Sequence, residues 1–201
     1  MSRKKKVVLT GGPGAGKTAV LELCQRTFPE HVRVLPESAS IVFKGGFPRE
    51  QTDSAKRAAQ RAIFHVQSEL ERYAEDANQA QLVLCDRGTL DGLAYWPGSE
   101  ETFFAELGTT CAEELARYDA VIHLRTPTRA NGYHKDPVRI ESARQAAIID
   151  ARLLTVWEKH PRRIIVESVK DFLEKAHRTI ALLNAELPEE FRFGYHPKAD
   201  G

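Results

Sequence analysis

Residues 11–18 read Gly11-Gly12-Pro13-Gly14-Ala15-Gly16-Lys17-Thr18, directly after the apolar run Val7-Val8-Leu9. The spacing is Gly-x4-Gly-Lys-Thr, the Walker A pattern, and each part of it has a physical task. The glycines let the backbone curl and aim successive N–H groups inward, which makes an anion cradle. Lys17 supplies a cation able to follow β- and γ-phosphates, and Thr18 a hydroxyl for Mg²⁺. A helix starting near Gly16 adds roughly half a positive charge at its N-terminus, aimed at the same anion. With a strand pattern before and a helical pattern after, the stretch predicts nucleoside triphosphate binding by residues Gly11 to Thr18. A plain glycine-rich turn is the alternative.

Five short apolar runs read as strands: Lys6–Thr10, Arg33–Pro36, Gln81–Cys85, Ala120–Leu124 and Arg163–Glu167. Several lack polar alternation, as strands covered on both faces do. Helical stretches separate them: Lys17–Phe28, Ser54–Ala80, Arg139–Lys159 and Asp171–Leu187. In Ser54–Ala80 one stripe holds Ala55, Ala59, Ala62, Val66, Leu70 and Tyr73, the spacing of an amphipathic helix. Strand–helix alternation with a phosphate loop after the first strand predicts an α/β fold: a three-layer, five-stranded parallel sheet with helices on both faces. The 201 residues are expected to form one domain, 1–201, with a lid-like segment at 126–144 marked by proline and glycine.

The chain carries 29 basic and 28 acidic side chains, a balance that generates no field toward nucleic acid or a membrane surface. The run Arg3-Lys4-Lys5-Lys6 reads as a solvated lead-in to the first strand, and Thr10-Gly11-Gly12 cuts the following apolar stretch too short for a signal peptide. No segment has the length of a membrane span. Cys24, Cys85 and Cys111 form no Cys-x-x-Cys pair, which fits a reduced, cytoplasmic setting. The seven histidines show no zinc-ligand spacing. Oligomeric state is not legible.

Leu82-Val83-Leu84-Cys85-Asp86 is an apolar strand ending in aspartate. In a phosphate-loop protein this position holds Mg²⁺ or acts as a base; the alternative is an Asp that caps the next turn. Arg87 follows, placed either to hold phosphoryl oxygens or to pair structurally with Asp86 or Asp91. Glu37 follows the second strand, at the edge where parallel sheets bind ligands. It could accept a proton from a substrate hydroxyl, or it could be an N-cap or a solvated charge. The segment 126–137 is flanked and punctuated by Arg125, Arg129, Lys135, Arg139 and Arg144. A closing loop with Arg would help phosphoryl transfer, and Arg139 and Arg144 sit where closure could deliver them; solvated loop cations are the plain alternative. On the long helix Gln60, His65 and Gln67 lie off the apolar stripe, as an exposed face or as a reader of an acceptor's amide edge.

The phosphate loop, Pro36-Glu37-Ser38-Ala39, Asp86-Arg87-Gly88 with Asp91-Gly92-x-x-Tyr95, and Asn131-Gly132-Tyr133 before Val138-Arg139-x-Glu141 together resemble the NadR-like AAA-domain family of P-loop NTPases. The resemblance runs from about residue 5 to 187. It implies a kinase-type P-loop fold, like that of nucleoside and nucleotide kinases. It implies Mg-nucleotide at Lys17 and Thr18, Asp86 near the metal, Glu37 facing an acceptor and Arg87 touching phosphate. The adenylyltransferase part of that relative has no counterpart here, so its nicotinamide riboside specificity does not transfer.

Three readings follow. In the first, the chain is a small-molecule kinase that passes the γ-phosphate of ATP to a nucleoside- or nucleotide-like acceptor, with Mg²⁺ at Thr18 and Asp86 and with GTP left open as donor. In the second it is a nucleotide-regulated switch with a protein partner. Here the guanine signature is missing, since Ser168-Val169-Lys170-Asp171 has no residue between Lys and Asp, and Thr89 stands where a switch glycine would be. The third, a nucleic-acid-dependent ATPase, lacks a basic–aromatic stripe. The first reading uses the most residues, and it is the expectation carried forward.

Overall fold

The strands form where the apolar runs are: β1 (Lys5–Thr10), β2 (Val32–Leu35), β3 (Leu82–Asp86), β4 (Ala120–Leu124) and β5 (Arg163–Val166). In the computed structural model, which describes residues 4–76, 80–127, 143–169 and 171–194, they make one sheet in the order β2-β3-β1-β4-β5. Every pairing is parallel, with Val8 of β1 level with Cys85 of β3 and Val121 of β4. The helices are α1 (Lys17–Thr27), α2 (Ser38–Lys44), α3 (Asp53–Asp76), α4 (Glu100–Leu107), α5 (Cys111–Ala116), α6 (Ala143–Val156) and α7 (Phe172–Glu186), with a 3₁₀ segment at Thr89–Tyr95.

Alternation along the strands feeds two cores. Val7, Leu9, Leu82, Leu84, Ile122 and Leu124 pack against Val20, Leu21 and Cys24 of α1 and Ala176 and Leu183 of α7. From the opposite face Val8, Val83, Cys85 and Val121 meet Ala74 of α3, Leu90, Tyr118 and Trp157. Both faces are therefore covered, which is why the strands need no polar side. A smaller cluster of Phe64, Trp96, Phe103 and Leu107 packs ring edge to ring face: Trp96 and Phe103 have centroids 5.3 Å apart at 83°, a favoured aromatic geometry.

The expected fold class, a five-stranded parallel sheet between helical layers, is the one observed. Three short helices have no counterpart in the sequence expectations. Of these, α4 is capped by Ser99, whose Oγ accepts from the Thr102 N–H. α5 is capped by Thr110, whose Oγ1 accepts from the Glu113 N–H. The described part of α3 runs to Asp76, and residues 77–79 of the expected Ser54–Ala80 lie outside the described residues. Most of the expected lid, 128–142, lies outside the described residues, and the described part of the following helix begins at Ala143. No helix among the described residues is long and apolar enough to cross a membrane.

Candidate active site

Because all strands run the same way, the loops after β1, β2 and β3 emerge on one edge. The loop after β1 is shaped by left-handed glycines: Gly11 has φ 138°, Gly14 φ 82° and Gly16 φ 91°. At Gly11 a side chain would also strike the backbone carbonyl of Leu124, so only glycine lets the loop lie against β4. Lys17 opens α1 and turns back on the loop, Nζ donating to the carbonyl oxygens of Gly11 at 2.8 Å and Gly12 at 3.5 Å. Burial and the charge of Arg87 lower its pKa to about 8, against the pull of Asp86, Glu37 and Asp91.

Glu37 is the N-cap residue of α2. Its Oε1 accepts from Arg87 Nε at 2.8 Å and its Oε2 from Ser40 Oγ at 2.6 Å. Burial pushes its pKa up, but the Arg87 charge and these hydrogen bonds outweigh burial and bring it below the usual glutamate value. Arg87 has φ 74°, the left-handed region that a side chain seldom adopts. That turn sends its guanidinium to Glu37 on one side and to Asp91 Oδ2, at 3.1 Å, on the other. Asp91 in turn accepts from Thr10 Oγ1 at 2.8 Å and from Trp157 Nε1 at 2.6 Å. Burial opposes charge on Arg87, and Tyr95, Asp91 and Glu37 overcome it. Asp86, at the end of β3, keeps a buried Oδ1 with no partner among the described residues. Burial raises its pKa to about 6; Lys17 opposes the rise, and Glu37 and Asp91 add to it.

These groups share one cavity of about 910 Å³, lined by Lys17 and Thr18 on the loop side, Glu37, Asp86 and Arg87 at the strand ends, and α2, α3 and α6 around them. It is at the upper end of the roughly 300–1,000 Å³ seen for small-molecule sites. A model of the AAA domain family matches residues 6–175. The chain belongs to that AAA domain family. Among curated proteins, none matches it significantly. Solved structures do. A deoxyadenosine kinase from M. mycoides with bound dATP is 12% identical, with TM-score 0.61 over 89% of this chain and 99% of that one. A thymidylate kinase from Candida albicans is 14% identical, with TM-score 0.64 over 92% and 93%. At such identities the likeness is one of fold.

In this AAA domain the sequence-expected residues divide into two groups. The loop side chains, Glu37, Asp86 and Arg87 meet around the cavity. The ion pair of Arg87 with Asp91, weighed as its plain alternative, is present alongside the link to Glu37. Arg139, together with Arg129, Lys135 and Asn131-Gly132-Tyr133, lies outside the described residues. Arg144 is exposed on the first turn of α6, away from the cavity lining, whereas Arg152 on the same helix lines the cavity and donates to the Ala94 carbonyl at 3.3 Å. Gln60 lines the cavity, His65 is exposed, and the amide of Gln67 is already taken by Ser38 and Glu71.

Several residues with no sequence signal hold the loop from behind. Asp150 of α6 accepts from the Gly12 N–H at 3.1 Å, contacts His123 Nε2 at 2.9 Å, and accepts from Arg125 Nε at 2.8 Å. Burial raises its pKa, but the bonds from His123, Gly12 and Arg125 outweigh burial and bring it to about 2. Lys175 of α7 donates to the Ala15 carbonyl at 2.9 Å and to that of Arg125 at 2.6 Å. Asp150 and Lys175 could have been read as buried charges only with the helix packing known.

Mg²⁺ fits the residues present. Among them no group of three His, Cys, Asp or Glu side chains could hold a metal. Magnesium needs only one or two protein ligands beside phosphate and water, and Thr18 and Asp86, one of whose oxygens has no partner among the described residues, line the same cavity.

Proposed function

We propose that the protein is a small-molecule kinase that passes the γ-phosphate of ATP to a nucleoside- or nucleotide-like acceptor. The observation that carries the reading is the Glu37–Arg87 pair inside the cavity that also holds Lys17 and Thr18. A site for triphosphate hydrolysis alone has no use for a carboxylate–guanidinium pair between the start of α2 and the end of β3, across from the loop and walled by α3.

Thr18 and Asp86 would hold Mg²⁺, which when bound draws charge from the β- and γ-phosphates. Lys17 leaves the Gly11 carbonyl and follows the transferring group, since the phosphate oxygens are stronger acceptors. Ionised Glu37 receives the acceptor's O–H as a hydrogen bond and aligns its oxygen with the γ-phosphorus. A low pKa does not disqualify it, because phosphoryl transfer through a loose transition state asks more of positioning than of proton removal. Arg87 holds Glu37 in that orientation and offsets charge that develops beside it.

A panel of nucleosides and nucleoside monophosphates, assayed for ADP release from Mg-ATP, tests this. At least one acceptor should raise release above the acceptor-free rate, with the increment abolished in Lys17→Ala. A full panel with no acceptor-dependent turnover would overturn the reading.

A further inference from the structure

Behind the Glu37–Arg87 pair lies a set of buried hydrogen bonds centred on Glu71 of α3, which two short backbone stretches join to that pair in a ring. Only 1% of Glu71 is exposed, and its Oε2 accepts from Lys6 Nζ at 3.2 Å and Arg117 Nη2 at 2.7 Å. Those two cations make a buried carboxylate tolerable. Its Oε1 then serves as a branch point. One arm goes from Gln67 Nε2, which donates to Oε1 at 2.9 Å, to Ser38 Oγ, which donates to Gln67 Oε1 at 2.6 Å. The other goes from Tyr118 OH, which donates to Oε1 at 2.8 Å, to the Thr89 N–H, which donates to the Tyr118 oxygen at 2.8 Å. Ser38 adjoins Glu37, and Thr89 is two residues beyond Arg87. The ring closes in the cavity, where Arg87 Nε meets Glu37 Oε1.

The bonds from Gln67 and Tyr118 take their direction from one charge. An ionised carboxylate only accepts, so Gln67 must turn its NH₂ to Glu71 and its carbonyl to Ser38. Tyr118 must likewise spend its proton on Glu71 and take the Thr89 N–H with its lone pair. Ser38, Gln67, Thr89 and Glu71 are all buried, and an orphaned group there costs more than a made bond gains. Arg87 also stands in a left-handed conformation that persists only where its surroundings over-determine it; Thr89, fixed by Tyr118 and by Glu114 Oε2 at 2.6 Å, is part of what does so.

We propose that Glu71 is a positioning residue for phosphoryl transfer, its carboxylate setting the spacing of Glu37 and Arg87 through the two arms of this ring. The proposal rests on the kinase reading for its kinetic consequence but not for its structural one.

The experiment uses the full chain and two readouts. In hydrogen exchange, Glu71→Gln, which can reverse the amide and hydroxyl directions, should speed exchange in both 37–40 and 87–91 and leave the phosphate loop unchanged. Ser38→Ala and Tyr118→Phe each cut one arm, so each should loosen the segment at the far arm as well, and their double variant should be non-additive. In acceptor-dependent turnover, Glu71→Gln should lower kcat by about 10–100-fold, the scale of a small misplacement at a reacting centre, with KM for ATP changed less than about threefold. Strictly local, additive exchange effects in the two arm variants would overturn the ring, even if Glu71→Gln does not fold. A panel with no acceptor turnover, alongside coupled exchange, would remove the kinase reading and leave the ring standing.

Discussion

Asp150 accepts a 3.1 Å hydrogen bond from the backbone N–H of Gly12, so a carboxylate on α6 holds the phosphate loop from outside its cradle. The same carboxylate pairs with Arg125 at 2.8 Å, which ties loop, β4 and α6 together. Asp150→Asn leaves Arg125 without its counter-charge. It should cost about 2–3 kcal/mol of stability and weaken ATP binding, read by denaturant unfolding and calorimetry. The wild-type pKa is lowered to about 2. The stability Asp150 contributes is therefore present above about pH 4, the unfolded value, and lost as pH falls through about 2. In Asp150→Asn that part of the acid transition should be absent; an unchanged acid limb would refute the assignment.

Lys17 in the free protein is held near pKa 8 by burial and by Arg87. A bound triphosphate needs the lysine charged. Above about pH 8, ATP binding must therefore take up a proton, and Kd should rise toward a limit of about tenfold per pH unit. Lys17→Met should abolish that slope along with most of the affinity. With the buried charge gone, the free variant should also unfold at a higher temperature than wild type near pH 7. A lower midpoint would show that the bonds to Gly11 and Gly12 outweigh the cost of the buried cation.

Asp86 has its pKa raised to about 6. A raised carboxylate stabilises the fold below its unfolded value, near pH 4, and that contribution is lost as pH rises through about 6. Asp86→Asn should thus stabilise the free protein at pH 8 and have little effect at pH 4, as thermal unfolding at the two pH values would show. Acceptor-dependent turnover should be lost in the variant. In wild type, kcat/KM should fall on the acid side with a midpoint near 6.

Arg87→Lys keeps the charge and loses the fork. A lysine cannot reach Glu37 and Asp91 together as Nε and Nη1 do. Acceptor-dependent kcat should fall by roughly 10–100-fold, the scale of a small misplacement, while ATP affinity stays within about threefold. Equal loss in both would place Arg87 on the donor nucleotide instead.

Gly11→Ala combines a φ of 138° with a clash against the Leu124 carbonyl. It should cost at least about 1–3 kcal/mol and abolish ATP-dependent stabilisation in a thermal shift. Retained nucleotide binding would mean that the loop has another way to lie against β4.

What could be read from the chain was whatever repeats locally. Val7, Val8 and Leu9, or Leu82 through Cys85, announce buried strands by composition alone, and Gly11 to Thr18 announce their ligand by spacing. Asp86 was legible because it ends a strand and Glu37 because it follows one, and in a parallel sheet strand ends meet. The order β2-β3-β1-β4-β5 was not legible, since it depends on which crossovers pack. Thr110 and Glu113 carry a capping-box signal for α5, whose six residues are too few to show a helical period. Asp150, Lys175 and Glu71 left no trace: each is one charged residue on an ordinary helix until its neighbours from residues 6, 12, 15, 117 and 125 arrive.

Phe172 and Lys175 lie far along the chain from the loop they touch: the ring of Phe172 stands where a Gly16 side chain would be, and Lys175 grips Ala15. As the polypeptide is synthesised, residues 11–18 emerge early, whereas the contacts from α7 can form only with residues some 160 positions later. A chain lacking that helix would carry the full motif without these two contacts. The shape of a motif read from eight consecutive residues thus rests on side chains from the far end of the chain.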